Sequence, residues 1–178
     1  MRHSEHELRN AAEKWLSATG SNAYEAKVVA DHLVNANLRG HDSHGVGMIA
    51  IYRDFIQDGR LKPNTAPRLL NDRGSILQFA GDRGYGQRIG HDATEQAIAR
   101  AKETGLCLYT IANTCHLGRI GTYGEQCADA GMVSLHFVNV QHFQPLVAPW
   151  GGSDARFGTN PFCCAIPATE KNGRFILD

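Results

Sequence analysis

The apolar residues of this 178-residue chain change their spacing near residue 60. Before that point they recur every three or four residues, which is the period of an amphipathic helix. After it, short apolar runs alternate with helical stretches and with turns rich in Gly, Pro and Asn. This alternation is typical of α/β and mixed α+β domains. We therefore expect an N-terminal helical unit at 1–60 and an α/β domain with a mixed sheet at 61–178.

The helical unit is predicted to contain three helices, at 5–18, about 22–38 and 43–58. Ser21 and Asn22 can cap the second helix, since their side-chain oxygens accept from free backbone N–H groups. The inner face of that helix carries these residues: Val28, Val29, His32, Leu33 and Ala36. A break at Gly40 separates it from the third helix.

The third helix is predicted to open at Asp42–Ser43, with His44 in its first turn. A helix N-terminus exposes unpaired N–H groups, and its dipole biases the charge of a group held there. His44 is therefore a candidate proton-transfer residue, with Ser43 as its cap or orienting partner. The alternative is an ordinary helix cap beside a partly buried histidine.

The second part is predicted to begin with a hairpin, whose turn is Asn71–Gly74. A glycine-bearing loop at 81–86 leads into a helix at 87–104. The remaining predicted elements are a buried strand at 106–112, a helix at 121–130, strands at 132–139, 162–167 and 175–177, and a loop at 140–158. No GxGxxG motif joins a strand to a helix, so a Rossmann domain is not supported.

Composition excludes several partners. Lys plus Arg and Asp plus Glu number 18 each, which leaves no excess positive charge for nucleic acid or an acidic membrane. No apolar run approaches the roughly 20 residues that span a bilayer. The polar start does not resemble a secretory signal. Five cysteines without CxxC spacing favour reduced thiols in a cytoplasmic protein.

No metal site is expected. Five potential ligands lie close together in sequence, namely Cys115, His116, Cys127, His136 and His142. Adjacent residues rarely both reach one ion, and no standard zinc spacing is present.

A second candidate cluster, at 113–123, contains His116. It follows a predicted strand and precedes a helix, and ligands in α/β structures often bind at such a carboxyl end of a strand. His116 is therefore a candidate cofactor or substrate contact, or else a loop histidine bonded to backbone carbonyls. A third segment, Gly158–Pro161, has turn chemistry on its residues alone.

Three segments in combination resemble the malate/L-lactate dehydrogenase family that lacks a Rossmann fold. They are Leu38–Val46, Asn113–Gly118 with Gly121–Tyr123, and Ala148–Gly152 with Arg156–Pro161. Phe175–Asp178 is similar to the start of the family's Asp-x-Ala-Thr/Ser stretch. The chain ends there, on a strand-like segment, so we expect a C-terminally truncated member. The Gly47–Met48 pair resembles the hydroxycarboxylate dehydrogenase branch.

The resemblance implies hydride transfer between NAD or NADP and a 2-hydroxy or 2-oxo acid in a homodimeric enzyme. It implies that Ser43 and His44 form a proton relay, and that His116 is the catalytic base or a residue of the cofactor loop. The implied cofactor contacts are His116, Leu117, Gly118, Arg119, Ile120, Asn139, Val140 and Asp178. The implied substrate contacts are Thr159 and Asn160.

The chain departs from the family at position 48. Many members have an arginine there to hold the substrate carboxylate, whereas this chain has Met48. Arg53, Arg119 and Arg156 are candidates to replace it, because guanidinium binds carboxylate through two parallel hydrogen bonds. Family members are also longer, so the alternative function is a folded or dimerising fragment without catalytic activity.

Overall fold

The first two helices begin at side chains that cap their free amide groups. α1 (Glu5–Ala18) follows Ser4, whose hydroxyl accepts from the Glu7 backbone N–H at 3.3 Å. The Glu7 carboxylate accepts in return from the Ser4 N–H at 2.8 Å, completing a capping box. α2 (Ala23–Leu38) follows Asn22, whose side chain accepts from the Glu25 N–H. Both predicted helices are confirmed.

The third helix begins later than predicted. Asp42–His44 form a short 3₁₀ turn, and α3 runs over Met48–Gln57. The prediction that Ser43 and His44 lie in the first turn of an α-helix is therefore wrong.

The side chain of Asn37, near the end of α2, accounts for this turn. Its amide donates to Asp42 Oδ1 at 2.5 Å, and its oxygen accepts from the Val46 N–H at 2.9 Å. A Cβ at position 45 would lie 2.2 Å from Asn37 Oδ1, so any other residue there would displace the Asn37 amide from these bonds. These contacts hold the 42–46 backbone against α2 and delay the start of α3.

The structure, a computed structural model, describes residues 3–140 and 145–178. Part of the predicted loop at 140–158, residues 141–144 with His142, lies outside them. The other helices are α4 (Gly86–Thr104) and α5 (Gly121–Asp129). The strands are β1 (Arg68–Arg73), β2 (Ile76–Ala80), β3 (Leu108–Ala112), β4 (Ser134–Phe137), β5 (Phe162–Ile166) and β6 (Phe175–Leu177). The mixed α/β fold class is confirmed.

The first sheet is mixed and has the order β1-β2-β3. β1 and β2 form the predicted antiparallel hairpin, but β1 continues to Arg73, so the turn is shorter than predicted. β3 pairs parallel to β2, from Ile76 opposite Leu108 to Ala80 opposite Ala112. α4 makes this crossover connection, as parallel pairing requires. The prediction of a buried third strand is wrong, because alternate residues of β3 are exposed.

The second sheet is antiparallel, with the order β4-β5-β6, and α5 packs against it. Gly124 of α5 permits a close approach, since a Cβ there would lie 3.0 Å from Cβ of Ala165. One face of the sheet carries exposed apolar side chains: Leu135, Phe137, Phe162, Phe175 and Leu177.

The chain divides into two compact units, 1–119 and 120–178. The predicted boundary after residue 60 lies inside the first unit, where Leu61 and Tyr85 share one apolar core with the helices α1 to α3. The division of the chain into domains at 1–60 and 61–178 stays a prediction. Within the described ranges, no helix combines the length and apolar character needed to cross a bilayer.

A buried carboxylate joins three segments of the first unit. Glu25 of α2 is fully buried and accepts from the Ser21 hydroxyl and the Asn64 N–H, both at 2.7 Å. Its second oxygen lies 3.2 Å from the Arg88 guanidinium on α4. Because every one of these contacts compensates the lost hydration of the carboxylate, the charge can be buried.

Candidate active site

The structure brings together the two histidines that the sequence singled out. The imidazole rings of His44 and His116 stack with centroids 5.2 Å apart and planes inclined by 30°. His44 lies in the 3₁₀ turn that Asn37 holds, and His116 follows β3 in a loop of the same unit. Two proton-carrying groups therefore face one location in the first unit.

Ser43 is bonded to the ring of its neighbour. Its hydroxyl oxygen lies 2.9 Å from His44 Nδ1. A hydrogen bond at one ring nitrogen selects the tautomer and fixes the plane of the ring. Nε2 is then the nitrogen through which His44 can exchange a proton.

Two hydrogen bonds in series, through the buried side chains of Tyr52 and Gln87, fix the His116 ring. The hydroxyl of Tyr52, on α3, lies 2.9 Å from His116 Nδ1, and the Gln87 side-chain amide donates to the same hydroxyl at 2.5 Å. Because the Tyr52 oxygen accepts from Gln87, its own proton can point to Nδ1. That arrangement places the ring proton of a neutral His116 on Nε2.

Burial makes His116 a weak base. Loss of hydration, together with the nearby His44, lowers the pKa of His116 from 6.5 to about 4. A charge on His44 would repel a charge on His116 and so disfavours protonation of His116 further. His116 is therefore neutral near pH 7.

The sequence did not predict the hydrogen-bond partners of Tyr52, Gln87 and His32. The helical pattern predicts that His32 faces inward, but apolar spacing carries no information about hydrogen-bond partners. Nothing in the local sequence singled out Gln87. His32 is buried, and its Nε2 accepts from the Arg119 backbone N–H at 2.9 Å.

Other predicted site residues of the first unit lie close to His116 in the chain or on α3. Leu117 is partly buried, and Gly118 and Arg119 are buried; all three follow His116 directly. Arg53 is exposed and forms an ion pair with Asp54 at 2.8 Å. Successive helix residues project about 100° apart, so Arg53 does not share the direction of Tyr52.

The remaining predicted contacts belong to the second unit. Ile120 is buried immediately before α5. Asn139 and Val140 follow β4, and Asp178 follows β6. Thr159 and Asn160 are exposed residues before β5. Arg156 is exposed and pairs with Asp154 at 2.9 Å.

The structure also bears on the metal question. Across 3–140 and 145–178, no group of three or more His, Cys, Asp or Glu side chains could hold a metal ion. Of the five possible ligands that lie close in sequence, His142 falls outside these ranges.

Comparisons with known proteins place this geometry in context. A sequence model of the malate/L-lactate dehydrogenase family matches residues 3–178. The chain is 46% identical over 159 residues to hydroxycarboxylate dehydrogenase B of Escherichia coli (strain K12), which covers 89% of this chain and 44% of that protein. It is 39% identical over 170 residues to an L-lactate dehydrogenase of Cupriavidus necator, covering 96% of this chain and 49% of that one.

The fold is similar to that of solved structures as well. The malate dehydrogenase from Pyrococcus horikoshii OT3 superimposes with a TM-score of 0.91 at 35% identity, over 99% of this chain and 49% of that chain. The chain thus spans about half the length of the curated relatives it matches.

Proposed function

Because the chain belongs to the malate/L-lactate dehydrogenase family, we propose that it takes part in NAD(P)-dependent interconversion of 2-hydroxy acids and 2-oxo acids. The stacking of His44 on His116 within one unit carries the proposal. The relatives' names support the substrate class, since they describe hydroxycarboxylate, L-lactate and malate dehydrogenases.

In this proposal His44 transfers the proton. In the oxidative direction Nε2 of His44 accepts the proton of the substrate hydroxyl, and in the reductive direction it returns a proton to the carbonyl oxygen. The Ser43 hydroxyl at Nδ1 holds the ring in the orientation that exchange requires. General acid–base catalysis of this kind contributes about 10²–10⁴-fold to a rate.

His116 has a different role. It is neutral near pH 7, and its Nε2–H can donate a hydrogen bond to the reacting oxygen without losing its proton. The buried Tyr52–Gln87 chain prevents the ring from rotating as charge develops on that oxygen. Fixed donors of this type stabilise the transition state because they need no reorganisation.

The donor set fits a nicotinamide cofactor. Imidazole and hydroxyl groups can transfer the proton of a 2-hydroxy acid oxidation, but they cannot accept the hydride. The hydride therefore requires a cofactor. A bound nicotinamide would supply the two-electron step at the substrate carbon. We assign its binding to His116, Leu117, Gly118 and Arg119, and by the family resemblance to Ile120, Asn139, Val140 and Asp178. The choice between NAD and NADP is left to measurement.

Substrate binding is assigned to Thr159 and Asn160, with Arg53 as the candidate carboxylate partner in place of the arginine absent at Met48. Replacing Arg53 by Ala should raise the KM for a 2-oxo acid and leave the Kd of the nucleotide unchanged. The same change at Arg68, an exposed arginine of β1 paired with Asp82 at 2.8 Å, is the matched control. An unaltered KM in Arg53→Ala would require another carboxylate partner, for which Arg119 and Arg156 are the candidates.

Turnover tests the proposal. Reduced nicotinamide, as NADH and as NADPH, is mixed with the chain and a panel of 2-oxo acids, and its absorbance is followed. Oxidation that depends on both the protein and the acid supports the enzyme. Nucleotide binding without turnover would favour the non-catalytic alternative, and neither binding nor turnover would contradict the assignment for this chain.

We propose in addition that the protein is a homodimer located in the cytoplasm. Light scattering coupled to size-exclusion chromatography measures the mass of the particle against the 19.5 kDa of one chain. A mass equal to one chain at every concentration tested would contradict the dimer.

A further inference from the structure

His32 contacts the segment that carries His116 through a hydrogen bond to the backbone of that segment. The residue lies in α2 and is only 4% exposed. Its Nε2 lies 2.9 Å from the Arg119 backbone nitrogen and accepts that N–H. A bond from a helix side chain to a loop amide 87 positions away ties two separate segments of the first unit.

The adjacent glycine fits this ring closely. Gly118 has a φ of +74°, a conformation that side chains disfavour. A Cβ built there would lie only 2.3 Å from His32 Nε2. The imidazole therefore occupies the space that any other residue at position 118 would need, and the loop conformation depends on the ring.

Two contacts from buried side chains thus hold the short segment 116–119 at both ends. Tyr52 bonds the side chain of His116 at the start, and His32 bonds the backbone of Arg119 at the end. Without the second contact, the backbone after His116 would lose its fixed position. The His116 ring could then shift relative to His44.

We propose that His32 is a positioning residue for the candidate active site, acting as a neutral hydrogen-bond acceptor that fixes the Leu117–Arg119 backbone and thereby His116. The inference rests on the proposed function for its catalytic consequence, but its structural content can be tested without turnover. It predicts that acceptor chemistry at position 32 matters, and not only the volume of the side chain.

The chemistry of the site agrees with this role. Only an unprotonated Nε2 can accept from the Arg119 N–H, so the bond requires neutral imidazole. Burial, with smaller contributions from His116 and Arg119, lowers the pKa of His32 to about 3. The lone pair is therefore available throughout the neutral range.

A first test uses the unaltered chain. An N–H···N hydrogen bond transmits a scalar coupling between its two nitrogens, which NMR measures on uniformly ¹⁵N-labelled protein. We expect a coupling between the Arg119 amide nitrogen and His32 Nε2, and a His32 tautomer with its proton on Nδ1. Absence of the coupling, or a proton on Nε2, would overturn the proposal whatever the protein does enzymatically.

Two variants then separate acceptor chemistry from packing. His32→Gln can put an amide oxygen near the place of Nε2, whereas His32→Leu keeps apolar volume and removes the acceptor. In His32→Leu the Arg119 amide should exchange its hydrogen at least about tenfold faster, because it has lost its partner. His32→Gln should restore most of the protection. Equal exchange in both variants would reduce His32 to core packing.

Kinetics supply the functional readout if the chain turns over. His32→Leu should lower kcat by about tenfold to a hundredfold, since a small displacement of a catalytic group has costs of this size. The KM for the 2-oxo acid should change little, and His32→Gln should recover most of kcat. If the N–N coupling is present but no form of the chain turns over, the positioning role stands and the proposed function fails.

Glycine variants give an independent check. Gly118→Ala and Gly105→Ala both place a methyl group on a backbone of positive φ, +74° and +82°. At Gly105 nothing lies within 4 Å of the added Cβ, whereas at Gly118 it meets the His32 ring. Only Gly118→Ala should therefore abolish the N–N coupling. A coupling that survives in Gly118→Ala would show that the ring does not occupy that space.

Discussion

The hydroxyl of Tyr52 lies 2.9 Å from Nδ1 of His116 and accepts from the amide of Gln87, so one buried phenol links α3 and α4 to the candidate site. Burial raises the pKa of Tyr52. The phenol is thus a stable donor to the imidazole and not a source of negative charge.

Tyr52→Phe should weaken both the fold and the site. The change leaves the Gln87 amide and His116 Nδ1 without their shared partner in a buried place, and the free energy of unfolding should fall by about 1–3 kcal/mol. Urea denaturation measures the loss, and ¹⁵N shifts of His116 report whether the tautomer becomes mixed. Tyr24→Phe is the control, because Tyr24 is half exposed and bonds only at the surface to Asp92 and His91. An equal loss in both variants would contradict the role of Tyr52.

His44→Gln should lower kcat by about 10²–10⁴-fold, the usual contribution of a general acid–base group. Nucleotide affinity should change little, because the variant removes proton transfer and not the cofactor loop. The matched control is His41→Gln, whose ring lies 6.4 Å from that of His44 and carries no assigned role. If the two variants retain the same kcat, His44 is not the proton carrier.

Acid should destabilise the fold between about pH 6.5 and pH 4. The pKa values of His116 and His32 in the folded chain, about 4 and about 3, lie below the 6.5 of an unfolded histidine. In this window the unfolded chain binds protons that the folded chain does not, so stability is present above pH 6.5 and is lost as the pH falls. Within this window, each of these histidines can change the free energy of unfolding by about 1.4 kcal/mol per pH unit.

The urea midpoint measured at a series of pH values tests that slope. His116→Gln removes one contribution and should flatten the dependence, while His32 and His136, whose pKa burial also lowers, still contribute. His91, whose pKa is raised chiefly by its bond to Asp92, titrates above this window and so does not cause the slope. A variant with the same pH dependence as the unaltered chain would show that His116 is not buried as a neutral group.

Glu25→Ala should lower the free energy of unfolding by about 3–5 kcal/mol. The substitution removes the partner of Arg88 from a buried site and leaves the Ser21 hydroxyl and Asn64 N–H without their acceptor. Glu103→Ala is the control, since its side chain is 74% exposed and faces Arg100 at 3.7 Å. A surface pair of this kind is worth about 0–1 kcal/mol. Equal midpoints for the two variants would contradict the structural role of Glu25.

The helices could be predicted where local signals agree. α1 and α2 have apolar residues at helical spacing and a capping side chain directly before them, so the period and the boundary are both present in the sequence. The start of α3 could not be predicted, because Asn37 fixes the preceding turn through contacts five to nine positions along the chain. Such side-chain contacts override the preference of a local window.

The strands show a similar limit. The run 106–112 is apolar enough to indicate burial, but the exposure of alternate residues depends on what covers the sheet, which a short run does not encode. The sequence predicts a turn at Asn71–Gly74, yet pairing with β2 extends β1 through Asn71, Asp72 and Arg73.

The candidate site was predictable in part. The association of His44 with His116 followed from resemblance to a family, because no spacing rule joins two such distant residues. Tyr52 and Gln87 escaped prediction for a simpler reason: an inward-facing tyrosine and a helical glutamine are ordinary core residues until their partners are known. The roles of the residues in 120–178 stay predictions.

The bonds from Asn37 have a practical meaning for redesign. Because Asn37 of α2 holds the backbone around His44 by hydrogen bonds, substitutions in α3 should disturb the His44 ring less. An arginine introduced at Met48, in the first turn of that helix, would therefore be added to a backbone that already fixes the position of His44.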